Sequence, residues 1–176
     1  MHGIIVKGGV AANIVPDEAV AQFYFRAATK ETLDDILEKV KRIAEGAALM
    51  TGATLEMERY EFPNDNLVTN ENLSEAFNEN LRALGITEIK PPKSSGSSDI
   101  GNVSQVCPTM YTELALDIDE VCFVHDEAYL KYVNSEEAYD KLHKSVKAMT
   151  GTALELYCEP ELLKVVKEDF KKLKRS

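Results

Sequence analysis

The sequence is poor in the residues that build disulfide and metal sites. It contains three cysteines, which form no CxxC pair, so neither a disulfide framework nor a structural zinc site is expected. Its three histidines are too few for a self-contained hydrolytic metal site, which needs several imidazoles and carboxylates at close quarters. Low cysteine usage favours a reducing compartment, and the cytoplasm is the expected location.

Long apolar stretches and an excess of basic residues are also missing. No run approaches the ~20 apolar residues that a membrane helix needs, and no basic segment followed by an apolar core marks a signal peptide. The 20 Lys and Arg face 30 Asp and Glu, which gives a net charge of -10 at pH 7. This balance argues against nucleic acid or an anionic membrane as a partner, because phosphates need a basic surface.

What is present is typical of a folded protein. The chain has 176 residues, of which 44% are hydrophobic and 28% charged, so one domain or two small ones are expected. A boundary is predicted after residue 61, because residues 61–66 (EFPNDN) carry turn formers that break the preceding pattern. The two predicted regions are residues 1–61 and 62–176.

The pattern of the first region predicts strand, strand, helix and strand. Residues 2–6 are β-branched and lead into a Gly-Gly turn, and residues 19–26 alternate as a strand with one buried face. Residues 29–50 have helical periodicity, with Thr29 as the expected cap and Gly52 as the expected end. Residues 54–60 again alternate. This β-β-α-β order would become a split βαβ unit if a strand and a helix preceded it.

The second region is predicted to be mainly helical. Helices are expected over 71–84, over 134–157 and from Pro160 to Leu173, with a loop at 90–101 and a strand at 111–116. The 134–157 helix is expected to begin at a capping box of Asn134 and Glu137. Its predicted inward residues are Ala138, Leu142, Met149, Ala153 and Leu156.

Taken singly, the candidate functional residues have two interpretations each. The imidazole of His125 could bind zinc or manganese, or it could be a solvated surface group. Arg26 could bind a carboxylate with both guanidinium nitrogens, or it could form a salt bridge at a strand end. Asp99 lies in a small-residue loop (SGSSD) that could be an anion-facing turn or only a flexible one, and Asn13 could be a plain turn residue.

In order, however, these segments resemble the M20 family of metallopeptidases and amidohydrolases. HGII, GG, NIVP and FRA at residues 2–27 resemble the later part of the family's lid domain (HGxI, GG, NxIP, xRA), including the spacing of Asn13 and Arg26. Residues 97–104 (SSDIGNVS) resemble its GSTDxGNVS loop. His125, ahead of a loop and a helix, resembles the last metal ligand. The end of the chain resembles the branch of aminobenzoyl-glutamate utilisation proteins and peptidase M20 domain-containing protein 2.

The resemblance implies a mixed α/β (α+β) fold. An incomplete ferredoxin-like lid domain would be followed by the C-terminal part of an α/β metallopeptidase domain. It also implies a metal-dependent hydrolase that cleaves amide bonds of dipeptides or N-acyl amino acids, with zinc or manganese activating water. Asn13 and Arg26 would hold the substrate carboxylate or the developing oxyanion, Ser98 and Asp99 would line the pocket, and His125 would ligate one metal.

The family pattern also contains elements that this sequence lacks. These are an HxD or CxH element, a Glu-Glu pair, a second histidine ligand and the first half of the lid. We therefore expect the isolated chain to be inactive, to hold no metal tightly and to supply no catalytic base. Unpaired sheet edges and exposed apolar faces predict self-association, with a dimer through the lid or a complex with a missing N-terminal half.

Three functional hypotheses follow. The first is an enzyme portion whose active centre is completed by a missing half. The second is a non-catalytic dimerisation or regulatory module. The third is a small-molecule binder in which Arg26 reads a carboxylate.

Overall fold

The computed structural model describes residues 1–91, 96–119, 122 and 124–173, and the chain divides into two compact units. The units are Met1–Asn66 and Leu67–Ser176, so the division lies five residues after the predicted boundary. Within the described ranges, two strands and six α-helices form a mixed α/β structure, which confirms the predicted fold class. No helix in those ranges is both long enough and apolar enough to cross a bilayer.

The first unit contains one antiparallel pair, β1 (His2–Lys7) and β2 (Val20–Tyr24). His2 pairs with Tyr24 and Gly3 with Phe23. A Cβ atom on Gly3 would lie 2.3 Å from the Phe23 ring, so glycine lets this ring lie across the strand. The predicted buried face is wrong, because Phe23 is 47% exposed and every β1 residue is exposed.

Helix α1 (Lys30–Thr51) begins and ends where the sequence predicts. The Thr29 side chain accepts a hydrogen bond from the Thr32 N–H at 3.3 Å, and Gly52 closes the helix with φ of 74°. Its apolar stripe is only half-buried, and Ile43 in the middle of the predicted stripe is 71% exposed.

The strand predicted at residues 54–60 is wrong, since this segment has no strand assignment. Alternation gives the segment a strand-like sequence, but a strand also needs a neighbour, and β1 and β2 pair only with each other. The end of the segment is nevertheless anchored to β2. The Tyr60 ring meets the Tyr24 ring edge-on at 6.1 Å, and the Tyr24 hydroxyl donates to the Glu61 carboxylate.

The second unit is built around three helices, α2 (Glu71–Ala83), α5 (Glu136–Cys158) and α6 (Pro160–Leu173). Phe77, Leu81 and Ala148 form its buried cluster, and Val166 of α6 is 2% exposed. The short helices α3 (Ile100–Ser104) and α4 (Leu130–Val133) lie in the connections, with a 3-10 turn at Glu127–Tyr129. As predicted, α6 begins at Pro160, where a missing N–H is tolerated.

Asn70 caps α2 from a buried position and ties it to two other segments. Its side-chain oxygen accepts from the Leu73 N–H at 3.0 Å, and its Nδ2 donates to the Val166 carbonyl of α6 at 2.9 Å. Its backbone N–H donates to the Thr109 carbonyl at 2.8 Å. With 1% of its surface exposed, this residue replaces three solvent contacts by protein contacts.

The beginning of α5 differs from the prediction. Ser135 is the cap, with its Oγ accepting from the Ala138 N–H at 3.1 Å, and Asn134 instead accepts from the Tyr139 hydroxyl at 2.8 Å. Serine and asparagine are both good caps, so the composition predicts a helix start here but not its exact residue.

The predicted inward face of α5 is also wrong. Ala148 and Thr152 are buried, whereas Leu142 and Met149 are 56% and 58% exposed. The helix approaches α2 through small and polar residues, including Gly151, where a Cβ atom would lie 2.2 Å from Oδ1 of Asn80. The large residues form an exposed row at spacings of three and four, which we call the outer row of α5: Tyr139, Leu142, Val146 and Met149.

The strand predicted at residues 111–116 is wrong too. Leu114, Leu116 and Ile118 are half-buried and alternate with exposed residues, but no strand is assigned to them. Side chains of α5 bond to the backbone here. Lys141 donates to the Ala115 carbonyl at 3.0 Å, and Glu137 accepts from the Asp117 N–H at 3.1 Å. Helix side chains therefore occupy backbone groups that a neighbouring strand would use.

Candidate functional site

The five residues proposed from the sequence fall into both units. Asn13 and Arg26 belong to the first unit, and Ser98, Asp99 and His125 belong to the second. The structure brings Ser98 and Asp99 together directly, as neighbours in the chain.

Arg26 follows the end of β2, and its side chain is exposed. The guanidinium carbon lies 5.7 Å from the centroid of the Tyr24 ring. His2, Tyr24 and Arg26 line an open depression of about 330 Å³ at this end of the strand pair. Within the described residues, Arg26 forms no ion pair, so the salt bridge weighed as its structural explanation is not found there.

Tyr24 is the polar neighbour of Arg26 that sequence reasoning missed. Its hydrogen bond to Glu61 raises the pKa of the Tyr24 phenol above its ordinary value, with burial and the charge of Glu61 acting in the same direction. The phenol therefore stays protonated and keeps donating well above neutral pH. The period-two pattern of β2 places Tyr24 and Arg26 on one face, which was the available signal.

Asn13 lies in the turn that follows Gly8-Gly9, where the Ile14 N–H donates to the Ala11 carbonyl at 3.1 Å. Its side chain is exposed, and it forms no hydrogen bond with any residue that the structure describes. Its amide is therefore available to an external group.

Ser98 and Asp99 precede α3 in a loop that is fixed from below. Ser98 Oγ accepts from the Ile100 N–H at 3.3 Å and lies 3.4 Å from a carboxylate oxygen of Asp99. Ser104, at the end of α3, is 1% exposed and accepts from the Val68 N–H at 2.9 Å. Residues 92–95 of the predicted loop lie outside the described residues. The buried Ser104 thus fixes one side of the loop and leaves the Asp99 side chain exposed.

His125 is exposed and has a positive backbone angle, with φ of 80°. It is the one non-glycine residue in the described ranges with this property. Nearby in sequence, the Tyr132 hydroxyl donates to Asp119 at 2.8 Å, which lowers the pKa of that carboxyl. Left-handed backbone is unfavourable for an L-residue, so the loop holds His125 in a conformation that its own preferences oppose.

The donor set of the described residues does not fit a catalytic metal by itself. No three His, Cys, Asp or Glu side chains in those ranges come close enough together to hold an ion. One imidazole leaves most coordination positions of zinc or manganese to other donors. No reaction step can be assigned through a metal to these residues alone.

Replacing His125 by glycine is expected to stabilise the chain relative to replacement by alanine, by about 1 kcal/mol. Both changes remove the imidazole, but only glycine adopts a positive φ without strain. Urea unfolding of the His125→Gly and His125→Ala proteins measures the difference. A glycine variant less stable than the alanine variant would show that the backbone here is not strained.

Comparison with known proteins gives two kinds of match. A family model described as the M20 peptidase dimerisation domain matches residues 4–50. Over 175 residues, 97% of the chain, the sequence is 36% identical to human Xaa-Arg dipeptidase and 34% identical to the mouse protein. The chain belongs to the M20 peptidase family. The resemblance stated from the motifs is thereby confirmed.

A further M20 relative is one of the subunits of the p-aminobenzoyl-glutamate hydrolase from Escherichia coli strain K12, in agreement with the predicted branch. It is 32% identical over 87 residues, which are 49% of this chain and 18% of that relative. The M20 chain spans 40% of the length of the human and mouse dipeptidases. The strand pair and α1 lie largely within the matched dimerisation domain, and Asn13 and Arg26 lie inside its range.

Proposed function

We propose that this M20 chain provides the substrate-carboxylate site and one metal ligand of a metal-dependent hydrolase. Its substrates are dipeptides or N-acyl amino acids, whose amide bond is cleaved. The observation that carries the proposal is the 36% identity to human Xaa-Arg dipeptidase over 97% of the chain.

Arg26 is assigned to the carboxylate because of its charge and its surroundings. Its exposed guanidinium has no ion pair among the described residues and borders an open depression. A guanidinium matches a carboxylate through two parallel hydrogen bonds, which gives both affinity and orientation. The exposed amide of Asn13 is assigned to the same end of the substrate or to the developing oxyanion.

Ser98, Asp99 and His125 are assigned to the catalytic side. The exposed side chains of Ser98 and Asp99 line the substrate pocket, and His125 is a ligand of zinc or manganese, both of which accept imidazole. The remaining ligands and the general base come from polypeptide equivalent to the part of the relatives that this chain does not match. The chain alone is therefore inactive, and it works in a reducing, cytoplasmic compartment, in keeping with the exposed thiols of Cys107 and Cys158.

The test is hydrolysis of an Xaa-Arg dipeptide by the full chain, alone and mixed with the unmatched segment of human Xaa-Arg dipeptidase. We expect no turnover alone and turnover in the mixture. Arg26→Gln should lower kcat/KM by about 30- to 1,000-fold, the usual effect of removing one partner of a close charge pair. Arg42→Gln, on the exposed surface of α1, is the matched control and should leave the rate unchanged.

Two results would overturn this proposal. One is turnover by the chain alone. The other is a folded mixed complex, seen by native mass spectrometry, that never hydrolyses a dipeptide or an N-acyl amino acid.

A second candidate function is a non-catalytic dimerisation module. The match of residues 4–50 to a peptidase dimerisation domain favours it, as do the exposed apolar residues of β1, where Ile4 and Ile5 are 64% and 76% exposed. Unpaired strand edges with apolar side chains tend to pair with another chain. A stable homodimer together with a silent mixed complex would favour this module over the hydrolase.

A further inference from the structure

Arg26 is one end of a connected row of side chains in the first unit. Its guanidinium lies over the Tyr24 ring at 5.7 Å, and the Tyr24 hydroxyl donates to Glu61. The Tyr60 ring meets the Tyr24 ring edge-on, with an interplanar angle of 71°. Glu61 and Tyr60 belong to the segment that follows α1, so a part of the chain remote in sequence holds the neighbour of Arg26.

An exposed arginine normally samples many rotamers, and ordering it against a ligand carries an entropic cost. A guanidinium within about 6 Å of a tyrosine ring centroid is attracted by the negative face of the ring. The contact restricts the side chain while leaving its outer nitrogens free for two hydrogen bonds to a carboxylate. The face of Tyr24 can do this only if the ring itself is held still.

Two contacts hold the ring. The hydroxyl is fixed by the Glu61 carboxylate, and one ring edge is fixed by Tyr60. The depression next to Arg26 stays open, lined on its other sides by His2 and Tyr24. The substrate end is thus left accessible while the arginine is restrained from behind.

We propose that Tyr24 is a positioning residue for Arg26, locked in place by Glu61 and Tyr60, and that it raises the affinity of Arg26 for a carboxylate. This inference rests on the proposed function in one respect, because it takes the carboxylate of a peptide or N-acyl amino acid as the ligand. The arrangement of Arg26 over Tyr24 can be measured without any ligand.

The experiment is NMR on the full chain. The side-chain Nε–Hε signal of Arg26, assigned by its loss in Arg26→Gln, is followed while N-acetylglycine is added, with N-acetylglycinamide as the uncharged control. In the wild-type chain we expect a ring-current shift of this signal and binding of the acid but not of the amide. Tyr24→Leu should remove the ring-current shift and weaken acid binding by about 3- to 5-fold, the range expected for an exposed cation–π contact.

Variants of the anchor separate positioning from folding. Tyr24→Phe keeps the ring face and loses the hydroxyl, so the ring-current shift should shrink without vanishing. Glu61→Ala should behave like Tyr24→Phe, while Glu61→Gln, which still accepts a hydrogen bond, should behave like wild type. Tyr157→Leu, an 88% exposed tyrosine on α5, is the matched control and should change nothing.

The outcomes distinguish this inference from the proposed function. If the ring-current shift survives Tyr24→Leu, the positioning role is wrong, whatever binds. If the shift is lost but acid binding is unchanged, Tyr24 contacts Arg26 without aiding it, and the inference also fails. If wild type and Arg26→Gln bind the acid equally well, the carboxylate role of Arg26 fails, and the claim that Tyr24 raises its affinity fails with it.

Discussion

Gly151→Ala is expected to lower the free energy of unfolding by about 1–3 kcal/mol, the usual effect of overpacking a tight contact. The added Cβ would lie 2.2 Å from Oδ1 and 3.0 Å from Cγ of Asn80 on the facing helix. Alanine is the better helix former by about 1 kcal/mol, so the clash has to exceed that gain.

Asn80 cannot move aside without losing its own partners. Its Nδ2 donates to the Ala76 carbonyl at 3.0 Å, to Thr152 Oγ1 at 3.3 Å and to Glu155 Oε1 at 3.0 Å. Two of these partners are on α5, the helix that carries Gly151. Relief of the clash therefore disturbs the hydrogen bonds that join α2 to α5.

Urea unfolding followed by circular dichroism measures the effect. The matched control is Gly46→Ala in α1, where nothing lies within 4 Å of the added atom, and this change should stabilise by about 0.5–1 kcal/mol. In an Asn80→Ala background, Gly151→Ala should lose its penalty. Equal effects of Gly151→Ala in both backgrounds would show that Asn80 is not the cause.

Asn70→Ala is the second change with a large expected effect, a loss of about 2–3 kcal/mol. It removes the cap of α2 and leaves the Leu73 N–H without its acceptor in a buried place. It also removes the donor to the Val166 carbonyl, so the link between α2 and α6 weakens. Asn70→Ser keeps an oxygen for the cap and should lose less than Asn70→Ala.

Asn70→Asp gives this prediction a pH dependence. An ionised carboxylate can accept from Leu73 but cannot donate to the Val166 carbonyl, and burial raises the pKa of such a group. The variant should be least stable at neutral pH, by about 3 kcal/mol or more relative to wild type. As the pH falls through the raised pKa, the neutral acid can donate again, and the deficit should shrink.

Unfolding of both variants across pH 4 to 7 provides the measurement. A deficit of Asn70→Asp that grows on acidification would have the wrong sign and would contradict the buried donor role of Asn70. The wild-type chain, measured in the same buffers, removes the pH dependence of all other groups.

Helix ends that depend on local chemistry are readable from the sequence. Thr29 and Gly52 bound α1 as predicted, because a threonine oxygen and a glycine with positive φ act within one turn. The inward face of α5 is not readable in this way. Periodicity marks where large apolar residues lie, but the contact with α2 selects the small residues Ala148, Gly151 and Thr152.

Strand prediction fails for a related reason. Residues 54–60 and 111–116 alternate as strands do, yet pairing depends on a second segment that alternation cannot identify. At 111–116, the role of a neighbour passes in part to Lys141 and Glu137 of α5, two charged residues that a hydrophobic pattern assigns to solvent.

The candidate site could be named but not assembled from sequence. Motif order identified Asn13, Arg26, Ser98, Asp99 and His125, and these assignments stay predictions. Tyr24 and Glu61 carry no motif, and their relation to Arg26 appears only when the segment after α1 returns to the end of β2.

The outer row of α5 has a thermodynamic consequence. Four exposed side chains, each worth about 1.5–3 kcal/mol if fully covered, together match the 5–15 kcal/mol that stabilises a typical domain. Any surface that covers the row only in the folded state adds to stability by mass action. A melting temperature of this chain is therefore a function of its concentration, and dilution acts on it as a mild denaturant.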